Sequence, residues 1–164
     1  MNTPARHKHY LTLRGAPLRY WVRIHRFVYR RTKGRVLYRM RGMPSLMLTT
    51  TGRRSGRQHT VPLPYLRDPA GDGKVVVGSF AGAEHDPAWV LNLRADPAVG
   101  VEDRAEVYAG RATVLTGEER ATVWARLVES SPWYAGYQDR TTREIPLVRI
   151  DRADRLPAPR GETA

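Results

Sequence analysis

Apolar residues recur in short runs along most of this chain, and the spacing within each run sets the element it predicts. "SLMLTTT" (45–51), "HTVPLPYLR" (59–67), "KVVVGSF" (74–80), "AVGVED" (98–103), "EVYAGRATVL" (106–115) and "REIPLVRI" (143–150) are rich in Val, Leu, Thr and Tyr and bounded by Gly, Pro or Asp, the pattern of strands. "DPAGDG" (68–73) is hairpin chemistry, so the strands on either side of it should be antiparallel neighbours. Six strands so closely spaced favour a small closed or nearly closed barrel over a parallel sheet with helical crossovers.

Helical periods interrupt this pattern. In "HDPAWVLNLRADP" Asp86 is the expected N-cap, Pro87 the first helical residue and Asp96-Pro97 the stop. "TGEERATVWARLVES" reads as a capping box, Thr116 with Glu119, ahead of an inward face of Ala121, Trp124 and Leu127 or Val128. Pro17 opens a third helix through about residue 31. Arg19, Arg23, Arg26 and Arg30 fall on one stripe of it, opposite Leu18, Trp21, Val22, Ile24, Phe27 and Val28. That apolar face either covers the core or meets a membrane. The expected organisation is a flexible basic tail over 1–15, a single mainly β domain with flanking helices over 16–151, and a loose tail over 152–164.

Charge sharpens the picture. Residues 1–67 carry sixteen Lys or Arg and no acid, whereas 68–164 carry twelve bases and sixteen acids. A stretch so one-sided calls for an anionic partner: a nucleic acid, an anionic lipid surface or a phosphorylated small molecule. Nucleic acid has charge alone in its favour, because no recognition motif for it is present. With no cysteine, and with five histidines scattered without ligand spacing, no metal site is expected. No apolar run approaches a membrane span, and the cytoplasm, or its membrane face, is the expected location. An oligomer is compatible with all of this.

Three segments carry candidate chemistry. The bend in "TTTGRRSGRQHT" holds Arg53, Arg54 and Arg57 with Ser55 between Gly52 and Gly56. A nest of backbone N–H groups surrounded by guanidinium groups would suit phosphate, although a basic hairpin can equally be a solvated turn. The spacing is not that of a Walker loop. "VGSFAGAEHDPAW" ends a strand at Ser79 and starts a helix, with Gly82 allowing close backbone approach to a ligand. "SSPWYAGYQDR" places Trp133, Tyr134 and Tyr137 in an expected loop, either a lid for a flat ligand or a plug for a barrel end.

"LMLTTTGRRSGR", "VPLPY", "VVVGSFAGAEHDPAWVLNLRADPAVGVE" and "ARLVESSPWYAGYQDRTTREIPLVRI", in that order, resemble the deazaflavin-dependent nitroreductase family of actinobacteria over roughly residues 20–150. The resemblance implies an α+β split β-barrel of about six mostly antiparallel strands, like the FMN-binding split barrel. It also implies an oxidoreductase using coenzyme F-420 (8-hydroxy-5-deazaflavin) to pass hydride to a quinone, nitroaromatic or similar electron-poor acceptor. By the same resemblance Arg53, Arg54, Ser55, Gly56 and Arg57 hold the anionic tail of the coenzyme. Thr60, Pro62 and Tyr65 line the approach to the ring; Ser79, Phe80, Ala81 and Gly82 contact it; Trp89 and Asn92 support the site. Tyr134 or Tyr137 would hydrogen-bond the acceptor. His59, Phe80 and Ser131 depart from residues common in the family, and the missing tyrosine at Ser131 points to a more open acceptor pocket. The rivals are a basic non-enzymatic module for nucleic acid or anionic membrane, and a split barrel that binds flavin or haem.

Overall fold

The computed structural model describes residues 38–155, together with Ile24, Phe27, Val28, Arg31 and Thr32. Among the described residues seven strands form: β1 (Arg39–Met40), β2 (Met43–Thr51), β3 (Gln58–Arg67), β4 (Lys74–Val77), β5 (Ala98–Asp103), β6 (Glu106–Val114) and β7 (Leu147–Arg152). Within residues 38–155 three α-helices accompany them: α1 (Ala88–Ala95), α2 (Gly117–Ser130) and α3 (Trp133–Gln138). Every pairing is antiparallel. The order β2-β3-β4-β7-β6-β5 closes through a β2–β5 pairing, and β1 extends β2 as a short hairpin. This is a six-stranded antiparallel barrel, as the strand spacing predicts, and the split β-barrel that the resemblance implies.

Strand alternation decides what faces inward. Leu46 and Leu48 of β2, Tyr65 of β3, Val76 of β4, Val99 and Val101 of β5, Ala112 of β6 and Val148 and Ile150 of β7 fill the interior. Trp89, Val90 and Leu93 from α1 close one end. A second apolar layer lies outside the barrel, where Val75, Val77 and Leu147 meet Val123 and Leu127 of α2 and Tyr134 of α3. Each such aliphatic side chain removed from water contributes about 1.5–3 kcal/mol.

At the other end the inward positions are polar. Lys74 Nζ lies 2.9 Å from Asp103 Oδ2 and donates to the Tyr108 hydroxyl at 2.7 Å, while Tyr65 donates to Asp103 Oδ2 at 3.0 Å. Burial opposes the charge on Lys74, but Tyr108 and Asp103 outweigh it and hold the ammonium above its ordinary pKa. Burial, a hydrogen bond with Tyr38 and the Asp103 charge raise the Tyr65 phenol far above its usual range.

Among the described residues β3 has β2 as its only strand partner from Gln58 to Pro64, because β4 pairs only with Tyr65–Arg67. Pro62 and Pro64 sit in that half-paired stretch, where a missing N–H is tolerated. There the barrel wall is open.

Several expected boundaries move. The segment after Val77 leaves the sheet, and β7 spans Leu147–Arg152 with a 3-10 turn at Ala153–Arg155, so the domain runs past residue 151. Trp133–Gln138 is a helix rather than a loop, because Ala135 and Gln138 permit one and its apolar side packs on the outer layer. Pro87, not Asp86, occupies the cap of α1: the Asp86 carboxylate is drawn to Arg94 at 2.6 Å and Arg143 at 2.7 Å. Thr116 caps α2 by position only, without a side-chain bond, and Glu119 turns to Arg149 instead of completing a box. Ile24, Phe27, Val28 and Arg31 are helical, as expected; Arg19, Arg23, Arg26 and Arg30 and the tails over 1–15 and 156–164 lie outside the described residues.

Candidate functional site

The turn between β2 and β3 is built from its backbone. Gly52 accepts from the N–H groups of Ser55 and Gly56 and donates to Arg57, and Gly56 takes φ +66°, a left-handed value that glycine adopts at least cost. Arg53 donates its backbone N–H to Asn92 Oδ1 at 3.2 Å, and Asn92 Nδ2 donates to Thr50 at 3.2 Å. Asn92 is therefore a buried strut between α1 and the turn. Arg57 N–H is taken by Ser55 Oγ at 3.3 Å. The expected backbone nest is not there: five of the turn's N–H groups are already bonded. What remains for an anion is side-chain charge. Arg53, Arg54 and Arg57 are exposed, and none has an ion-pair partner among the described residues.

From this turn the outer face of β3 leads along Thr60, Pro62 and Pro64. Thr60 shares a 2.8 Å hydrogen bond with Thr49, and both prolines are half-buried. Three alternate residues span about 13 Å at strand rise. Tyr65 does not belong to this row. Its parity sends it inward, 2 % exposed and bonded to Asp103, so the expectation that it lines the approach to the ring is corrected.

The row ends at a cavity of about 200 Å³ lined by Met40, Arg41, Met43, Pro64, Ser79, Ala81, Trp133, Tyr134 and Tyr137. Two sequence-predicted groups, Ser79 with Ala81 and Tyr134 with Tyr137, thus meet in one space. The loop after β4 makes this possible. Phe80, Ala81 and Gly82 have φ of +44°, +56° and +81°, a left-handed run that two non-glycine residues adopt at a cost. A Cβ on Gly82 would lie 2.7 Å from the Tyr137 carbonyl oxygen, so this glycine lets the loop press against α3. The Ser79 hydroxyl and the N–H groups of Phe80 and Ala81 have no protein partner among the described residues. Phe80 points outward, 44 % exposed, with its ring 5.2 Å from that of His85. Trp89 is buried in the barrel interior.

The tyrosines differ. Tyr134 is buried, and burial pushes its phenol well above the usual range; Tyr137 adds to the rise and Arg41 opposes it. At neutral pH it is a hydrogen-bond donor, never a phenolate. Tyr137 meets it edge-on at 5.8 Å and accepts a 2.8 Å hydrogen bond from Arg41 Nη1, which leaves the Tyr137 proton free to point at a ligand oxygen. Ser131 is 1 % exposed at the α2–α3 junction and is absent from the cavity wall, so its small size does not open the pocket.

The sequence reading passed over Arg41, Pro64 and Arg143. Arg41-Gly42 is a turn dipeptide between two apolar runs, with φ of +53° and +83°, and that signal was legible. Pro64 repeats the parity of Pro62. Arg143, which bonds the loop after β4, had no local signal.

The family model described as F420H(2)-dependent quinone reductase matches residues 21–151. An F420H(2)-dependent quinone reductase of Mycobacterium tuberculosis is 35 % identical over 135 residues, 80 % of this chain and 89 % of that protein. A solved F420-H2 dependent reductase, FDR-A, superposes with a TM-score of 0.58 at 38 % identity, covering 66 % of this chain and 94 % of its own. A structure described as a domain-swapped dimer gives 0.61 at 35 % identity, covering 83 % and 100 %.

Proposed function

The chain belongs to the F420H(2)-dependent quinone reductase family and is an oxidoreductase that reduces quinones with the reduced deazaflavin; from that premise we propose how its residues divide the work. The observation that carries the assignment is one continuous surface: a turn with three guanidinium groups lacking acids, a strand face, and a cavity closed by two phenols. The residues fit the coenzyme. Its multiply anionic tail suits Arg53, Arg54 and Arg57, with Ser55 and Gly56 shaping the turn. The ring carbonyls suit the unpartnered Ser79 hydroxyl and the Phe80 and Ala81 N–H groups. When bound, the deazaflavin supplies the hydride.

The protein's own part is binding, orientation and charge. Thr60 and Pro62 form the floor between tail and ring, and Pro64 begins the cavity. Gly82 seats the loop against α3. Met40, Met43 and Trp133 exclude water around a flat quinone. As negative charge gathers on the quinone oxygen, Tyr137 donates to it, polarised by Arg41 behind, and Tyr134 supplies a second neutral donor. Titrating oxidised coenzyme F-420, FMN and a DNA duplex in turn tests the reading. Selective deazaflavin binding that weakens with salt is expected; tight DNA or FMN binding without it would overturn the assignment.

A second reading concerns location. Ile24 and Phe27 are 63 % and 68 % exposed, so these two apolar side chains do not cover the core. With the arginine stripe of the same segment, the face suits an anionic membrane where lipid quinones reside. No helix among the described residues is long and apolar enough to cross a membrane, so the contact would be peripheral. Sedimentation with anionic vesicles should carry down the full chain and leave Ile24→Ser/Phe27→Ser in solution. Equal recovery with neutral vesicles would reject it.

A further inference from the structure

Arg143 lies between α3 and β7, outside any helix or strand, with its side chain 15 % exposed. Its guanidinium makes four bonds to one loop. Nε donates to the Ala83 carbonyl at 2.7 Å, Nη1 to Asp86 Oδ1 at 2.7 Å, and Nη2 to the carbonyls of Gly78 at 3.0 Å and Ser79 at 2.9 Å. These acceptors bracket Phe80, Ala81 and Gly82, the left-handed run. Residues with a Cβ leave that conformation unless their surroundings hold them in it. Among the described groups, Arg143 is the one that grips both sides of the run.

The same arginine is tied to the tyrosine-bearing helix. Gln138 Nε2 donates to the Arg143 carbonyl at 2.8 Å, and Gln138 Oε1 accepts from the Ile145 N–H at 3.0 Å. Thr141 Oγ1 donates to Glu84 Oε2 at 3.1 Å, a second link between the two segments. We infer that Arg143 is a positioning residue: it clamps Phe80–Gly82 in the left-handed form that presents the Ser79 hydroxyl and the Phe80 and Ala81 N–H groups to the coenzyme. The clamp also fixes the distance between that loop and Tyr137. This assignment rests on the function proposed above. Lysine cannot replace it, because one ammonium cannot serve four acceptors in the directions a planar fork reaches.

The test is a double-mutant cycle of Arg143→Lys with Ala81→Gly. Glycine occupies positive φ freely, so it should restore what the clamp enforced. Three readouts are taken well below each variant's melting temperature: titration with oxidised coenzyme F-420, steady-state quinone reduction, and amide hydrogen exchange of residues 79–83 without coenzyme. In Arg143→Lys the dissociation constant and the KM for reduced coenzyme should rise at least tenfold, kcat at saturation should change less than threefold, and exchange should quicken at least tenfold. With Ala81→Gly as its own reference, adding Arg143→Lys should cost at least a third less affinity, on a logarithmic scale, than Arg143→Lys costs in the unaltered protein. A merely structural arginine would lower the melting temperature and leave affinity and its rescue untouched. Unchanged affinity in Arg143→Lys, or an equal loss with and without Ala81→Gly, overturns the inference. If the unaltered protein does not bind the deazaflavin, the proposed function fails; the clamp is then judged on exchange alone, and unchanged exchange in Arg143→Lys refutes it.

Discussion

The two ends of the barrel use cationic side chains in opposite ways. At the end away from the β2–β3 turn, Lys74 is sunk among Asp103, Tyr65 and Tyr108, and Arg152 reaches Glu106 at 3.0 Å over the Tyr108 ring. Its charge is spent on the fold. At the turn, Arg53, Arg54 and Arg57 stand exposed with no acid among the described residues. The difference teaches that charge count is a poor guide to function and charge satisfaction a good one. A buried pair is expensive to break and binds nothing further, whereas an unpaired exposed cation costs the fold little and waits for an anion.

The largest effect that would sharpen this contrast is on stability. Lys74→Met leaves Asp103 buried without its cation; with side chains 17 % and 11 % exposed, the cost should be about 2–4 kcal/mol, read as a lower urea midpoint. Deazaflavin affinity should not move. A Lys74→Met protein as stable as the original would break the comparison at the closed end.

Next come the turn arginines, where the pattern should invert. Arg53→Ala and Arg54→Ala should each weaken deazaflavin binding by about 1–3 kcal/mol and leave the melting temperature within about a degree. The salt dependence of binding should become shallower in each. Affinity indifferent to both substitutions would remove the tail from this turn.

A smaller effect is expected at the cavity. Tyr137→Phe deletes the donor behind which Arg41 sits, so quinone turnover should fall about tenfold, near 1.4 kcal/mol, with coenzyme affinity unchanged. Loss of affinity with turnover intact would place the residue on the coenzyme instead.

The smallest effect is a slope. Tyr65, Tyr134 and Lys74 all have folded-state pKa values raised above their unfolded ones. The unfolded chain therefore releases protons first as pH rises. Their contributions are complete below about pH 10 and are lost as pH climbs from there through the folded-state values. Urea unfolding at pH 9 and pH 11 should show falling stability, less steeply in Tyr134→Phe.

Strands, the closed barrel and the first two helical runs after the sheet begins were legible because alternation and apolar periodicity are local properties. The 52–57 turn and the two tyrosines were legible as residue types. What escaped was the outcome of competition between distant groups. Asp86 reads as a cap until Arg94 and Arg143 claim its carboxylate, and the turn's N–H groups read as a nest until Asn92 and Ser55 take two of them. Tyr65 was misplaced for a simpler reason: its neighbours Pro62 and Pro64 share the outer face by parity, and an odd residue cannot join them. Arg143 was illegible because its four partners lie about sixty residues earlier.

The half-paired stretch of β3 has a further consequence. An open strand edge normally invites another polypeptide to add to the sheet, which leads to aggregation. Pro62 and Pro64 have no N–H to offer, so an incoming strand would meet gaps at alternate positions of its ladder. The opening in the wall is thus closed to peptide chains as a templating surface while remaining accessible to a small planar molecule. The same two residues guard the protein against its neighbours in a crowded cell.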